Sequence, residues 1–146
     1  PDELDGAART QYETLVAMDV RVDHGSDALV TQDIGTVVDA LVGYGLNGPL
    51  RGTAGELVEY INERDAAVVS LDIPSGMDAT TGEQPGPCVE PDRVLTLALP
   101  KMGLSEVKTN LYLADIGIPA GIYESLDIQY SNPFDDSYWV ALTRHS

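Results

Sequence analysis

The chain has 146 residues, 43% of them hydrophobic, and carries 24 acidic against 8 basic side chains for a formal charge of −16 at pH 7. That length and apolar content suffice for one globular domain with a buried core. So acidic a surface repels nucleic acid, and no run of about 18 apolar residues supplies a membrane span.

Cys88 is the single cysteine, so no internal disulfide forms and no Cys/His zinc pattern exists; it reads as a loop thiol. Acidic disordered chains share the charge balance but lack the apolar runs present here. With only two lysines, Lys101 and Lys108, the acidic coat fits a protein working in high salt, where screening removes self-repulsion. The N-terminus has neither a basic head nor a hydrophobic stretch, and a cytoplasmic location is expected.

In chain order, Leu4, Ala8, Tyr12 and Leu15 recur at helical spacing and predict an amphipathic helix over 4–18. The nearly continuous apolar run 36–42 predicts a strand covered on both faces. Thr53-Ala54-Gly55-Glu56 reads as a capping box opening a helix whose apolar face is Ala54, Leu57, Val58 and Ile61. Further strands are expected at 66–71, 93–99 and 111–114. Buried strands alternating with a helix predict an α/β layer with a parallel sheet. The tail, 131–146, holds the only Phe and Trp and is expected to pack on the sheet edge or on a partner.

Open α/β sheets bind ligands at the carboxyl ends of their strands. Asp72, Lys101 and Asp115 each follow a predicted strand, while Asp39 lies within one. A lone carboxylate among Val37, Val38, Ala40 and Leu41 is costly to bury unless a cation, several donors or protonation compensates it. Lys101, an arginine or a metal ion are the candidate partners, with a protonated structural Asp39 as the alternative.

The segment GYGLNG, 43–48, matches G-x-G-x-x-G after a strand and before a helix, and Asp72 lies where a dinucleotide fold places its ribose-binding acid. An NAD-dependent dehydrogenase is therefore one reading. Pro49-Leu50-Arg51-Gly52 nevertheless intervene before Thr53, whereas the third glycine of that fingerprint belongs in the helix's first turn. A longer loop that approaches a ligand by its backbone fits better. His24 and His145 stand alone in polar sequence and read as surface residues. Asp78-Ala79-Thr80-Thr81-Gly82 lacks the acid count of an EF-hand and reads as a turn.

Four segments, VVDALVGYGLNGPLRG, VVSLDIPSGMDATTG, LTLALPKMGL and LYLADIGIP, follow one another as in the YjeF N-terminal domain, the NAD(P)H-hydrate epimerase family, which the chain resembles over residues 1–119. The resemblance implies a Rossmann-like three-layer α/β/α sandwich with a mostly parallel sheet over residues 1–124, leaving 125–146 as a C-terminal extension. It implies epimerisation of the R and S forms of hydrated NADH or NADPH, with an NAD(P)H-hydrate dehydratase domain or protein as partner, and leaves a homodimer open. It implies a potassium ion held by Asp39 and Ser75. Gly43, Tyr44, Gly45, Leu46, Asn47, Gly48 and Pro49 would line the substrate, with Asp72 as the substrate-binding acid. The family's Asn/Gly-rich phosphate loop belongs before residue 1, so the chain is expected to be an N-terminally incomplete member, inactive alone; a non-catalytic nucleotide-binding or interaction module of the same fold is the alternative. Epimerising a hydroxylated ring carbon needs a group that donates and accepts a proton and control of a cationic intermediate. Asp72 is expected to transfer the proton or steer the ring, and Lys101 to assist by position and charge.

Overall fold

A computed structural model describes residues 4–25, 34–46 and 48–143. The chain divides into two units, 1–32 and 33–146. The first contains helix α1 (Gly6–Ala17), in which the Arg9 Nε donates to Glu13 Oε1 at 3.0 Å, one turn on.

The second unit is built on a five-stranded sheet in the order β1 (Thr36–Asp39), β2 (Ala67–Leu71), β3 (Arg93–Leu97), β4 (Asn110–Ala114) and β5 (Trp139–Leu142). The first four strands are parallel and β5 is antiparallel to β4. The mostly parallel α/β architecture is the expected one. Among the described residues no helix is long and apolar enough to cross a membrane.

One sheet face carries the core. Helix α2 (Thr53–Asn62) places Val58 and Ile61 against Val68 of β2 and Val89. Beside it, Ile73, Met77, Leu104 and Val107 from the connections close over Val94 and Leu111. Burial of these aliphatic side chains, each contributing about 1.5–3 kcal/mol, holds the layers together.

Three expectations are corrected. The first strand ends at Asp39 rather than residue 42, and it lies at the sheet edge with Val38 65% exposed, so it is covered on one face only. The run of apolar residues reflected a short edge strand continuing into a loop, a pattern that periodicity alone does not separate from a central strand. Helix α2 takes Gly52, at φ 58°, as its N-cap, with Thr53 as the first helical residue. The left-handed turn places the chain for helix entry without a Thr53 cap, and the Gly52 carbonyl accepts from Glu56 N at 3.1 Å. The expected 93–99 strand stops at Leu97, because Ala98 adopts φ 62° and turns the chain.

The tail joins the sheet edge. Its β5 pairs with β4, the Trp139 ring meets Tyr112 edge-on at 5.3 Å, and Phe134 is buried. A short helix α3 (Ala120–Ser125) precedes it, and Tyr123 stacks on Tyr130 at 4.1 Å.

Candidate functional site at the carboxyl ends of the strands

Asp39 ends β1 with its side chain 1% exposed. The parallel register sets Ser70 beside it, and the Ser70 hydroxyl donates to Asp39 Oδ2 at 2.7 Å. The turn after β2 brings Ser75, whose amide donates to Oδ2 at 2.9 Å and whose hydroxyl donates to Oδ1 at 2.6 Å. The Leu41 amide lies 3.4 Å from Oδ1. Asp39 is therefore compensated by several donors. Neither Lys101 nor an arginine is needed, and ionised carboxylates hydrogen-bonded to hydroxyls and amides are well accommodated in a core.

Asp39 and Ser75, the two residues assigned to a potassium ion, thus lie together. Ser75 Oγ also accepts from Val42 N at 2.9 Å and lies 3.2 Å from the Val42 carbonyl oxygen. The donor set is all oxygen, one carboxylate with a hydroxyl and a carbonyl, and a lone pair of Ser75 remains after its two hydrogen bonds. Such hard donors suit an alkali or alkaline-earth cation. Among the described residues, no three His, Cys, Asp or Glu side chains gather as a metal cluster.

Asp72 occupies the corner after β2. Its amide donates to the Leu95 carbonyl at 2.8 Å, extending the β2–β3 ladder by one residue, and its φ of 72° then swings the chain away. A non-glycine residue in the left-handed region at a strand end is uncommon and costs conformational energy. Lys101 Nζ pairs with Asp72 Oδ1 and donates to the Leu97 carbonyl at 2.8 Å. Leu97 N, at 3.3 Å, and Thr96 Oγ1, at 3.5 Å, donate to the same oxygen. The other carboxylate oxygen, Oδ2, receives no bond from the described residues. It faces Gly43, where a Cβ would lie 3.8 Å from it. One oxygen of Asp72 is thus clamped and the other presented to the glycine loop.

That loop begins where Ser75 holds Val42. Gly45 and Gly48 take φ values of 110° and 85°, conformations that side chains disfavour. Tyr44 is exposed and Leu46 half-buried. Asn47, assigned with them to substrate, lies outside the described residues. Gly48 stands apart from α2, which starts at Thr53, so the fingerprint geometry of a dinucleotide-binding dehydrogenase is not formed. An apolar cleft of about 530 Å³ adjoins the pair, lined by Tyr44, Leu97, Lys101, Met102, Ile122 and Leu126 among others.

The remaining candidates fall elsewhere. Asp115 is exposed and accepts from Gly117 N at 2.7 Å, an ordinary sheet-corner turn. Asp78 Oδ1 accepts from the amides of Thr80 and Thr81, both at 2.8 Å, which holds its carboxyl below the usual range; the segment is a turn, as expected. His24 is exposed beside Tyr12, and His145 lies outside the described residues. Cys88 sits in a loop but is buried, and desolvation, with the charges of Asp39 and Glu90 adding, pushes its thiol up to about 11. Ser70 and Thr96, both fully buried, escaped the sequence reading. The signal was available, since each places a hydroxyl on the core face of an otherwise apolar strand.

These features define an α/β domain with a clamped carboxylate at the strand ends beside a glycine loop. The chain belongs to the family described as YjeF-related protein N-terminus, whose model matches residues 1–103. It is 42% identical over 115 residues to an NAD(P)H-hydrate epimerase of Dehalogenimonas lykanthroporepellens, covering 77% of this chain and 47% of that one. It is 36% identical over 148 residues to a bifunctional NAD(P)H-hydrate repair enzyme of Thermofilum pendens, covering 91% of this chain and 28% of the relative. The chain thus spans about half the length of the first and a smaller part of the second. The crystal structure of yeast ynu0 shares the fold, with a TM-score of 0.73 and 23% identity over 96% of this chain and 62% of that one.

Proposed function

We propose that this domain epimerises the R and S forms of hydrated NADH and NADPH, a repair step for nicotinamide nucleotides. The observation that carries the reading is the divided carboxylate of Asp72 beside Gly43, in a chain whose relatives are named for that activity.

The chemistry follows from the hydrate. The ring nitrogen pushes electrons toward the carbon bearing the hydroxyl, a proton is delivered to that hydroxyl, the C–O bond breaks and water departs. The ring is then cationic. Water adds to the opposite face, its proton is removed, and the epimer results with no net change in atoms or electrons. Asp72 Oδ2 is the group assigned to carry the proton, and the ionised carboxylate stabilises the cationic ring. Lys101 holds Oδ1 and so fixes which oxygen is presented. The lysine and the Leu97 carbonyl form the rigid backing that an acid–base group needs.

Asp39, Ser75 and the Val42 carbonyl are the residues that would hold potassium, and the ion would supply positive charge for substrate phosphates. Because hydroxyls and amides already compensate Asp39, folding does not depend on the ion. Replacing potassium by choline in the buffer should then lower the melting temperature slightly, by the mass-action term of a weakly bound ligand, and an identical melting temperature in both buffers argues against the ion. NAD(P)H-hydrate dehydratase is the proposed partner, as a second protein or a fused domain; the relatives named as bifunctional repair enzymes support it. The acidic coat supports a cytoplasm of high salt as the setting.

The deciding experiment replaces Asp72 by Asn in the full-length polypeptide and follows interconversion of the two hydrates. Loss of about a hundredfold or more is expected for removal of an acid–base group. Unchanged epimerisation in a folded protein removes Asp72 from the chemistry, and nucleotide binding without epimerisation by the unaltered protein favours a binding module.

A further inference from the structure

The far end of the glycine loop rests on a part of the chain that belongs to none of the motifs above. A Cβ built on Gly86 would lie 2.7 Å from Pro49 Cβ, 3.3 Å from Pro49 Cα and 3.8 Å from Leu50 N. Real Cβ atoms do not approach so closely, so the contact exists only because residue 86 has no side chain. Gly86 has no left-handed φ, which leaves close approach, not backbone conformation, as what requires glycine there.

The segment bearing Gly86 is fastened on both sides. The Val89 amide donates to the Ser75 carbonyl at 2.9 Å, which ties it to the turn that holds Asp39. At the C-terminal end of α2, Asn62 Nδ2 donates to the Cys88 carbonyl at 2.8 Å, and Asn62 Oδ1 accepts from the Glu90 amide at 2.9 Å. Gly76, next to Ser75, is packed so tightly on this segment that its own Cβ would meet Pro87 O at 2.2 Å. Residues 86–90 therefore form a strap with fixed attachment to Ser75 and α2. Its free edge is the Gly86 backbone, and Pro49 lies on it.

We infer that Gly86 is a positioning residue for the substrate loop: the strap sets the height of Pro49, while Ser75 sets Val42, so that both ends of the 43–49 segment are fixed by elements that themselves converge on Ser75. The inference rests on the reading of that loop as the substrate-lining segment. It assigns loop placement to a residue distant in sequence from it. A loop that binds the parts of the substrate remote from reaction contributes equally in the ground and transition states, so its displacement raises KM and leaves kcat in place.

The test is Gly86→Ala in the full-length protein. The added methyl must push Pro49 away or move the strap. KM for the hydrate is expected to rise on the order of tenfold with kcat within about twofold. The amide resonances of Gly43, Gly45 and Gly48 should shift in the ¹H–¹⁵N spectrum while those of β3 and β4 stay. Unchanged KM and unchanged glycine resonances in the folded variant overturn the inference. If Gly86→Ala does not fold, Asn62→Ala decides in its place: it unfastens the strap at an exposed side chain and should give the same KM increase and the same shifts, and their absence overturns the inference. The spectrum is read without turnover. An unaltered protein that epimerises nothing therefore sinks the proposed activity, whereas silent glycine resonances sink the role of Gly86.

Discussion

Lys101 Nζ bridges Asp72 Oδ1 and the carbonyl oxygen of Leu97, so that the lysine, the carboxylate and the end of β3 form one closed unit. The lysine is four residues past the carbonyl it binds, and the left-handed Ala98 lets the chain curl back that far. Both side chains are under 20% exposed, Lys101 at 17% and Asp72 at 19%, which separates the pair from surface salt bridges that contribute little.

Lys101→Met keeps most of the side chain's length and removes its charge. Asp72 then retains only the longer bonds from Leu97 N and Thr96 Oγ1, and neither of its oxygens is held in a defined orientation. The expected result is a fall in kcat for hydrate interconversion of about ten- to a hundredfold with folding retained. Steady-state kinetics on the two separated epimers measures it, and wild-type kcat in the variant would show that the lysine does not orient the acid.

Asp39 predicts a different outcome. Replacing it by Ala leaves the Ser70 hydroxyl, the Ser75 hydroxyl and the Ser75 amide without their common acceptor in the core. Each unsatisfied buried donor costs about 1–3 kcal/mol, partly relieved by rearrangement, so a loss of roughly 3 kcal/mol or more is expected in urea denaturation. Asp39→Asn keeps one acceptor oxygen and should lose less. A stability within 1 kcal/mol of wild type for the Ala variant would mean the carboxylate is not the hub of this network.

Much of this arrangement is legible in the sequence because it is local. The runs at 66–71 and 111–114 become β2 and β4 within a residue at each end, and Asp72 stands at a strand end as its spacing implies. Asp39 is visible as an acid in an apolar run, yet its compensation is not. Ser70 and Ser75 reach it across 31 and 36 residues, and only the parallel register of β1 and β2 brings them there. The left-handed turns at Asp72 and Ala98 leave no compositional trace, since neither residue is a glycine. β5 is equally silent, because a four-residue edge strand is defined by the partner it pairs with. The contact of Gly86 with Pro49 joins two loops, where no periodicity exists to read.

Gly76 carries two constraints at once. Its φ is 103°, and a Cβ there would overlap Pro87 O at 2.2 Å and Cys88 Cα at 2.7 Å, both backbone atoms that cannot rotate away. Gly76→Ala should therefore cost at least about 3 kcal/mol. Because Ser75 precedes it, the shift would also disturb the bonds to Asp39. Thermal unfolding by circular dichroism tests this; a melting temperature within a few degrees of wild type would contradict the packing described.

Cys88 supplies the pH dependence. Its thiol titrates near 9.0 when unperturbed and at about 11 in the folded protein, chiefly because burial disfavours the thiolate and next because Asp39 and Glu90 repel it. The raised folded value means that the native state keeps its proton while the unfolded state loses one. The contribution to stability is accordingly full below pH 9 and is lost as pH rises toward 11. Two pH units correspond to roughly 2–3 kcal/mol between the ends of that window. Cys88→Ala removes this contribution, so the difference in unfolding free energy between wild type and variant should change by that amount from pH 8.5 to 11, a subtraction that cancels the tyrosines and lysines titrating in the same range. A pH-independent difference would mean that the thiol ionises as readily folded as unfolded. Maleimide labelling offers the same answer kinetically: at pH 8 the native thiol should react far more slowly than in urea, since the thiolate is the reacting species.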